Sequence, residues 1–162
     1  MGTLYGAKSY AGVFLKDNIR EVRVMQYPVT LTHDTDGSFL VRCRDIPEAL
    51  ATGYSEEEAL AEAINGLESA FMIYISERRA IPLPSKKLKD EYLVRLPVRV
   101  SFKVALYNEM LAQDLKKADL ARRLNWDQKQ VDRLLSLKHS TKLESLEEAF
   151  HVMGREVDVV VA

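Results

Sequence analysis

Residues 120–135 read LARRLNWDQKQVDRLL, a helical pattern broken at Asn125–Trp126 and restarted at once. Two short helices crossing through a tight turn produce this interruption. Their geometry makes position-specific demands. A small residue is needed where the second helix packs on the first, and Ala121 supplies it. The turn needs a left-handed residue; asparagine tolerates that conformation better than most side chains, and Asn125 stands there. Val131 supplies a branched apolar residue for the interior, and Leu120, Leu124 and Leu134 complete a small core. Trp126 reads as a lid over that core, with stacking near DNA as the other reading. Asp127, with Gln130 three residues on, is an N-cap signal for the second helix.

The open face of that helix carries Gln128, Lys129, Gln130, Asp132 and Arg133. Gln, Lys and Arg near a helix start have the reach and the donors to read base edges in the DNA major groove. A solvated bundle face is the plainer alternative. Charge favours DNA. Residues 115–142 hold eight Lys/Arg against three Asp/Glu, a balance of +5, within a chain of net charge −1. Lys117, Arg122, Arg123, Lys138 and Lys142 read as phosphate contacts, which set affinity and register. His139, before the next helix, is placed to reach the DNA backbone. Residues 25–85 are the opposite, with four Lys/Arg against ten Asp/Glu.

That acidic region has its own pattern. MQYPVTLTHD and GSFLVRCRD alternate as strands around an Asp/Gly turn, and ATGYS offers a short third strand. Ser55 and Glu58 form a capping-box signal with Glu56, Glu57 and Glu58 in the first turn. Ala59, Leu60, Ala63, Ile64, Leu67, Ala70, Phe71, Tyr74 and Ile75 follow at helical spacing. The prolines of IPLPS stop the helix, and YLVRLPVRV reads as a returning strand. The order is β-β-β-α-β over residues 25–97. Helices are predicted over 102–113, 117–124, 128–137 and 142–153 in a second, all-α domain, residues 98–162. The last carries a Thr141–Glu144 capping box and Gly154 as its stop. REVDVVVA closes as a short strand, whose sticky edge is expected to pair across a dimer.

Several classes are disfavoured. No apolar run approaches a membrane span, and the N-terminus lacks signal-peptide features, so a cytoplasmic protein with no membrane partner is expected. Cys43 is the single cysteine, leaving no disulfide framework and no cysteine zinc site. His33, His139 and His151 lack metal spacing. Asp34, Asp36 and Asp45 are the carboxylates by type for a metal-dependent nuclease, but the first two sit in a turn beside Gly37, where aspartate serves the backbone. No nucleophile motif or phosphate-binding glycine loop occurs. The expectation is no catalysis, no metal and no cofactor.

The N-terminal half resembles the HicB antitoxins. The resemblance rests on the Tyr27–Pro28 strand, the Asp36–Gly37 turn, Asp45-Ile46-Pro47-Glu48-Ala49, Thr52–Gly53, Glu57-Glu58-Ala59-Leu60 and the Ile81-Pro82-x-Pro84-Ser85 ending. The C-terminal pair resembles the Xre/Cro-like helix-turn-helix that longer members append. The resemblance implies an α+β chain: a partial RNase H-like domain, then a helix-turn-helix domain with a short terminal strand. It further implies neutralisation of a HicA-type mRNA-cleaving toxin, with the acidic region 25–85 suspected but no contact residue assigned. Repression of the operon by operator binding is also implied, with a homodimer or higher oligomer formed through the C-terminal domain. Two departures stand out. Residues 1–24 precede the usual start near Met25, as an alternative start or added sequence without assigned role, and the usual turn glycine is Asn125. The rival function is a helix-turn-helix regulator whose N-terminal domain senses a small ligand.

Overall fold

The computed structural model describes residues 12–15 and 20–160. Two short strands, β1 (Gly12–Leu15) and β2 (Arg20–Arg23), precede β3 (Gln26–His33), β4 (Phe39–Cys43) and β5 (Leu50–Gly53). Then come α1 (Glu56–Ser76), β6 (Tyr92–Arg95), α2 (Val98–Ala112), α3 (Lys117–Leu124), α4 (Gln128–Leu135), α5 (Leu143–Val152) and β7 (Val157–Val160). The class is α+β, and the strand-strand-strand-helix-strand order expected after Met25 is observed.

Strands β3 to β6 form one antiparallel sheet in the order β5-β4-β3-β6. Its pleat turns Tyr27, Val29, Val41, Cys43, Ala51 and Val94 to one buried face, and α1 covers that face with Ala59, Ala63, Leu67, Ala70, Phe71 and Tyr74. A Cβ on Gly66 would stand 2.6 Å from the Leu50 carbonyl oxygen, so only glycine lets α1 approach β5 this closely. At the start of α1, Ser55 Oγ accepts the Glu58 N–H at 3.1 Å. The Glu58 carboxylate accepts from Tyr54 N–H at 2.7 Å, one residue upstream of the expected box.

Three boundary expectations are corrected. VRV after Pro97 is helical, not strand. Leu96 N–H donates to the Met25 carbonyl at 2.9 Å; proline then has no donor to continue the ladder, and its fixed φ suits a helix start. Helix α2 therefore begins four residues before the predicted Phe102. The α4 helix stops at Leu135, and Leu137 drops, fully buried, into the sheet's core. The Thr141–Glu144 box does not form: Lys142 is the N-cap without a side-chain bond, and Thr141 Oγ1 turns to the His139 carbonyl at 3.5 Å.

Helix α2 belongs to two cores. Val100, Val104 and Tyr107 pack with the sheet and α1. Phe102, Leu106 and Met110 pack with Leu120, Leu124, Val131, Leu134, Leu146 and Phe150 of the helical half. The tail strand pairs within its own chain: β7 lies antiparallel to β1, Val13 opposite Val159, in a small sheet ordered β2-β1-β7. One edge of β7 is thus filled by the N-terminal segment, and the other has no strand partner among the described residues.

Four helices end in the same way. After each last turn one residue adopts a left-handed conformation: Arg78 (φ 53°), Asp114 (φ 53°), Asn125 (φ 54°) and Gly154 (φ 73°). In each case its N–H and that of the following residue fold back on the last turn, as with Leu115 N–H to the Met110 carbonyl at 2.8 Å and Arg155 N–H to the Phe150 carbonyl at 2.9 Å. These are Schellman closures, and only one uses glycine. A left-handed Cβ costs about 1–2 kcal/mol, offset by the about 0.4–1 kcal/mol of extra unfolded-state entropy that glycine brings. Asp114→Gly should therefore stabilise the protein by about 0.5–1 kcal/mol, read as a higher urea midpoint, and Asp114→Ala should give no gain. Fragments test the shared helix: residues 25–113 should unfold cooperatively, and 25–97, which lacks Val100, Val104 and Tyr107, should not.

Candidate nucleic-acid interface

Helix α3 opens with the Asp119 carboxylate accepting Lys116 N–H at 2.9 Å, a contact that holds the Asp119 carboxyl below its usual range. Leu120, Ala121 and Leu124 are buried. The chain then reverses at Asn125: Trp126 N–H donates to the Ala121 carbonyl at 3.0 Å and Asn125 N–H to the Arg122 carbonyl at 3.3 Å. Trp126 is half-buried against the second core. Asp127 and Gln130 close a full capping box: Asp127 Oδ1 accepts Gln130 N–H at 2.8 Å, and Gln130 Oε1 accepts Asp127 N–H at 2.9 Å. Val131, Leu134 and Leu135 anchor α4 from below. The broken pattern is therefore two eight-residue helices joined by three residues.

All ten residues singled out for DNA are exposed, but they are not equivalent. Lys117 Nζ pairs with Asp132 at 2.7 Å, tying α3 to α4. Arg122 pairs with Asp119, and Arg123 donates to the Val152 carbonyl at 3.3 Å. Gln130 spends its side-chain oxygen on the cap. Gln128, Lys129, Arg133, Lys138 and Lys142 have no side-chain partner among the described residues. Lys129 and Arg133, four residues apart, share one side of α4, as do Gln128 and Asp132. His139 is exposed, and its backbone carbonyl is engaged within the chain.

The N-terminal carboxylates are mostly occupied. Asp36 accepts the N–H (2.9 Å) and hydroxyl (2.6 Å) of Ser38 in the hairpin turn, which lowers its pKa. Asp45 accepts both the N–H (2.9 Å) and hydroxyl (2.7 Å) of Ser85, so the Asp45 and Ser85 motifs are two halves of one tie. Glu48 takes the Tyr74 hydroxyl at 2.7 Å and Arg79 at 3.0 Å. Buried Glu91 takes Arg44 Nε at 2.6 Å and Leu88 N–H at 2.7 Å. Glu56, Glu57 and Glu68 on α1 have no side-chain partner among the described residues. Among the described residues no group of three His, Cys, Asp or Glu is placed to hold a metal, and Cys43 is buried. No described helix is long and apolar enough to cross a membrane. The gap beside Val29, Val41 and Cys43 has no room for a water molecule.

Residues 26–105 match the family model described as HicB_like antitoxin of bacterial toxin-antitoxin system. The chain is 36% identical over 137 residues to Antitoxin HicB of Escherichia coli strain K12, which covers 85% of this chain and 99% of that protein. It is 41% identical over 136 residues to Antitoxin HicB 2 of Photorhabdus laumondii, 84% of this chain and 96% of the relative. Antitoxin HicB of Pseudomonas fluorescens is 40% identical over 126 residues, 77% and 86% of the two chains. The chain belongs to the HicB-like antitoxin family. Its relatives are named as antitoxins, not as enzymes.

The family model runs from β3 into α2 and leaves residues 1–25 and 106–162 outside it. Sequence reasoning passed over one residue. Lys103, between Phe102 and Val104, is fully buried; a lysine set between apolar neighbours was the available signal.

The family's acidic domain has a testable pH signature. Glu48 and Glu91 are held below their ordinary value of 4.5, Glu48 first by the Tyr74 hydroxyl and Glu91 first by Arg44. The unfolded chain then binds protons more readily than the folded one, so stability is full above about pH 5 and falls as the pH drops through and below 4.5. Urea midpoints should follow that course, and Glu91→Gln should flatten it at a lower plateau.

Proposed function

We propose that this chain binds and neutralises a HicA-type mRNA-cleaving toxin through its acidic N-terminal domain and represses its own operon through α4. The observation that carries the DNA half is the uncompensated outer side of α4. Gln128, Lys129 and Arg133 are exposed and unpartnered among the described residues, over an inner side anchored by Val131 and Leu134. The toxin half rests on the family match across 26–105 and on Glu56, Glu57 and Glu68, whose charge complements an RNA-binding partner. Both activities belong in the cytoplasm. The domains divide at residues 97 and 98, α2 serving both.

A single helix pair reads too few base pairs to select one operator. The working unit is a homodimer or higher oligomer formed through the C-terminal domain, with recognition helices about 34 Å apart on a palindromic site. The free edge of β7 offers a two-fold contact, continuing the sheet from one copy to the next. The small-ligand sensor would need a pocket of several hundred Å³ in the N-terminal domain; the gap beside Val29, Val41 and Cys43 admits no water, and an open cleft of about 430 Å³ lies instead in the helical half, at Glu147, His151 and Arg155.

Binding to DNA from the chain's own promoter should weaken by about 1–3 kcal/mol for Gln128→Ala or Arg133→Ala, with relaxed sequence preference. Lys138→Ala should weaken all sequences alike and reduce the salt slope. Unchanged promoter binding by the Gln128 and Arg133 variants refutes the assignment of α4. Co-expression with a neighbouring small basic reading frame should give co-purification, and its growth arrest should be relieved. Deleting residues 157–162 should reduce the mass in solution.

A further inference from the structure

Lys103 closes the end of α4, but with a buried charge where an apolar contact is the usual choice. It is fully buried in the middle of α2, and no carboxylate meets it. Its Nζ instead donates to three backbone carbonyls, of Ser136 at 2.6 Å, His139 at 2.7 Å and Arg133 at 3.3 Å. Arg133 lies in the last turn of α4, Ser136 is its C-cap, and His139 belongs to the loop towards α5. One ammonium thus gathers both the negative end of the α4 dipole and the loop carrying Lys138. Burying a cation without a counter-charge is costly, and an apolar residue of similar shape avoids that cost.

Stability alone is therefore a poor account of this lysine. We propose that Lys103 is a positioning residue for DNA recognition: it locks the C-terminal end of α4 and the 136–139 loop onto α2, so that Gln128, Lys129, Arg133 and Lys138 meet the DNA in one fixed arrangement. This rests on the DNA-binding reading above. The geometry gives it a distinctive readout. A charged lysine has three N–H donors for three carbonyls, and a neutral one has two donors and a lone pair. Burial, with Arg99 one turn earlier on α2, pulls the Lys103 pKa down to about 8. Arg99 is the charged group acting on it; α4 and the loop bring backbone carbonyls, with the side chains of Arg133 and His139 exposed.

Fold stability and DNA selectivity should then part company. Because the folded pKa lies below the unfolded value of 10.5, this group's contribution to stability rises with pH between about 8 and 10.5. The arrangement of α4 loosens over the same pH rise. The test uses the full-length protein, a duplex from its own promoter and an unrelated duplex of equal length, with both affinities measured from pH 7 to 9.

For the wild type, the ratio of promoter to unrelated affinity should fall at least fivefold across that range. Lys103→Met should stay folded, keep its toxin partner and bind unrelated DNA as before. It should lose at least tenfold in promoter affinity and show no pH dependence of the ratio. Lys103→Arg should recover part of that loss at pH 9. A Lys103→Met protein with wild-type selectivity overturns the proposal, as does a wild-type ratio constant across pH, which stands even if the methionine variant fails to fold. A wild type that never prefers its promoter overturns the DNA-binding reading itself and this proposal with it, and it is told apart because the unsubstituted protein fails.

Discussion

Both halves of the molecule depend on α2 having two apolar sides. Val100, Val104 and Tyr107 follow one another at four- and three-residue steps and complete the core under the sheet. Phe102, Leu106 and Met110 follow at four-residue steps and complete the core under α3, α4 and α5. At about 100° per residue the two sets centre roughly 130° apart around the helix. A helix apolar on two sides is mostly buried, and nine of the fifteen residues of α2 are. The consequence is mechanical. Neither half closes its interior without the helix, so the sheet half and the helical half share a rigid element rather than a flexible tether.

Most polar residues of α2 hold other segments in place, Arg99 apart, whose buried Nε has no hydrogen-bond partner among the described residues. Ser101 Oγ accepts Met25 N–H at 3.1 Å, fixing the start of the sheet. Asn108 bonds both the N–H and the carbonyl of Ile81, each at 2.9 Å, and so holds the Ile-Pro segment after α1. The Tyr107 hydroxyl sits between the carbonyls of Tyr74 and Arg79 at the end of α1. Buried Glu109 takes Arg155 at 2.8 Å and Gln113 at 2.7 Å, fastening the tail. A buried polar network that is satisfied specifies one arrangement; a half-satisfied one would only cost stability. These bonds explain why a helix rich in polar letters, VRVSFKVALYNEMLA, sits in the middle of the protein.

That same composition hid the helix start from sequence reasoning. VRV alternates like a strand and follows a strand, and only the missing donor of Pro97 turns it into helix. The sheet strands, the α1 stripe and the break at Asn125 were legible because each is a local pattern with one period or one turn demand. The α4–α5 loop was not, because Leu137 is drawn into a core built by residues far away in sequence. The exposed residues of α4 were legible as a face, whereas their sorting into paired Lys117 and Arg122 and unpaired Lys129 and Arg133 required the positions of Asp132 and Asp119. Lys103 was visible as a lysine among apolar neighbours, but its role was not legible: its three acceptors are backbone atoms, which no residue type advertises. The acidic composition of the first domain also overstated its free charge. Asp36, Asp45, Glu48, Glu58 and Glu91 are all committed to local hydrogen bonds.

Helices of eight residues are far below the roughly 12–15 at which an isolated helix holds together in water. The α3–α4 pair persists because every end is closed by something specific. Asp119 caps the start of α3 and left-handed Asn125 its finish, Asp127 and Gln130 cap the start of α4 from both directions, and the Lys103 ammonium covers its C-terminal carbonyls. Three of these closures use local residues within four positions of the end they serve. The fourth comes from another helix, thirty residues away in sequence. A recognition element fixed only by local caps could still pivot on its apolar anchor as a unit. Tying its far end to the helix shared by both cores removes that freedom, and it does so without occupying any side chain on the outer face that the DNA would meet.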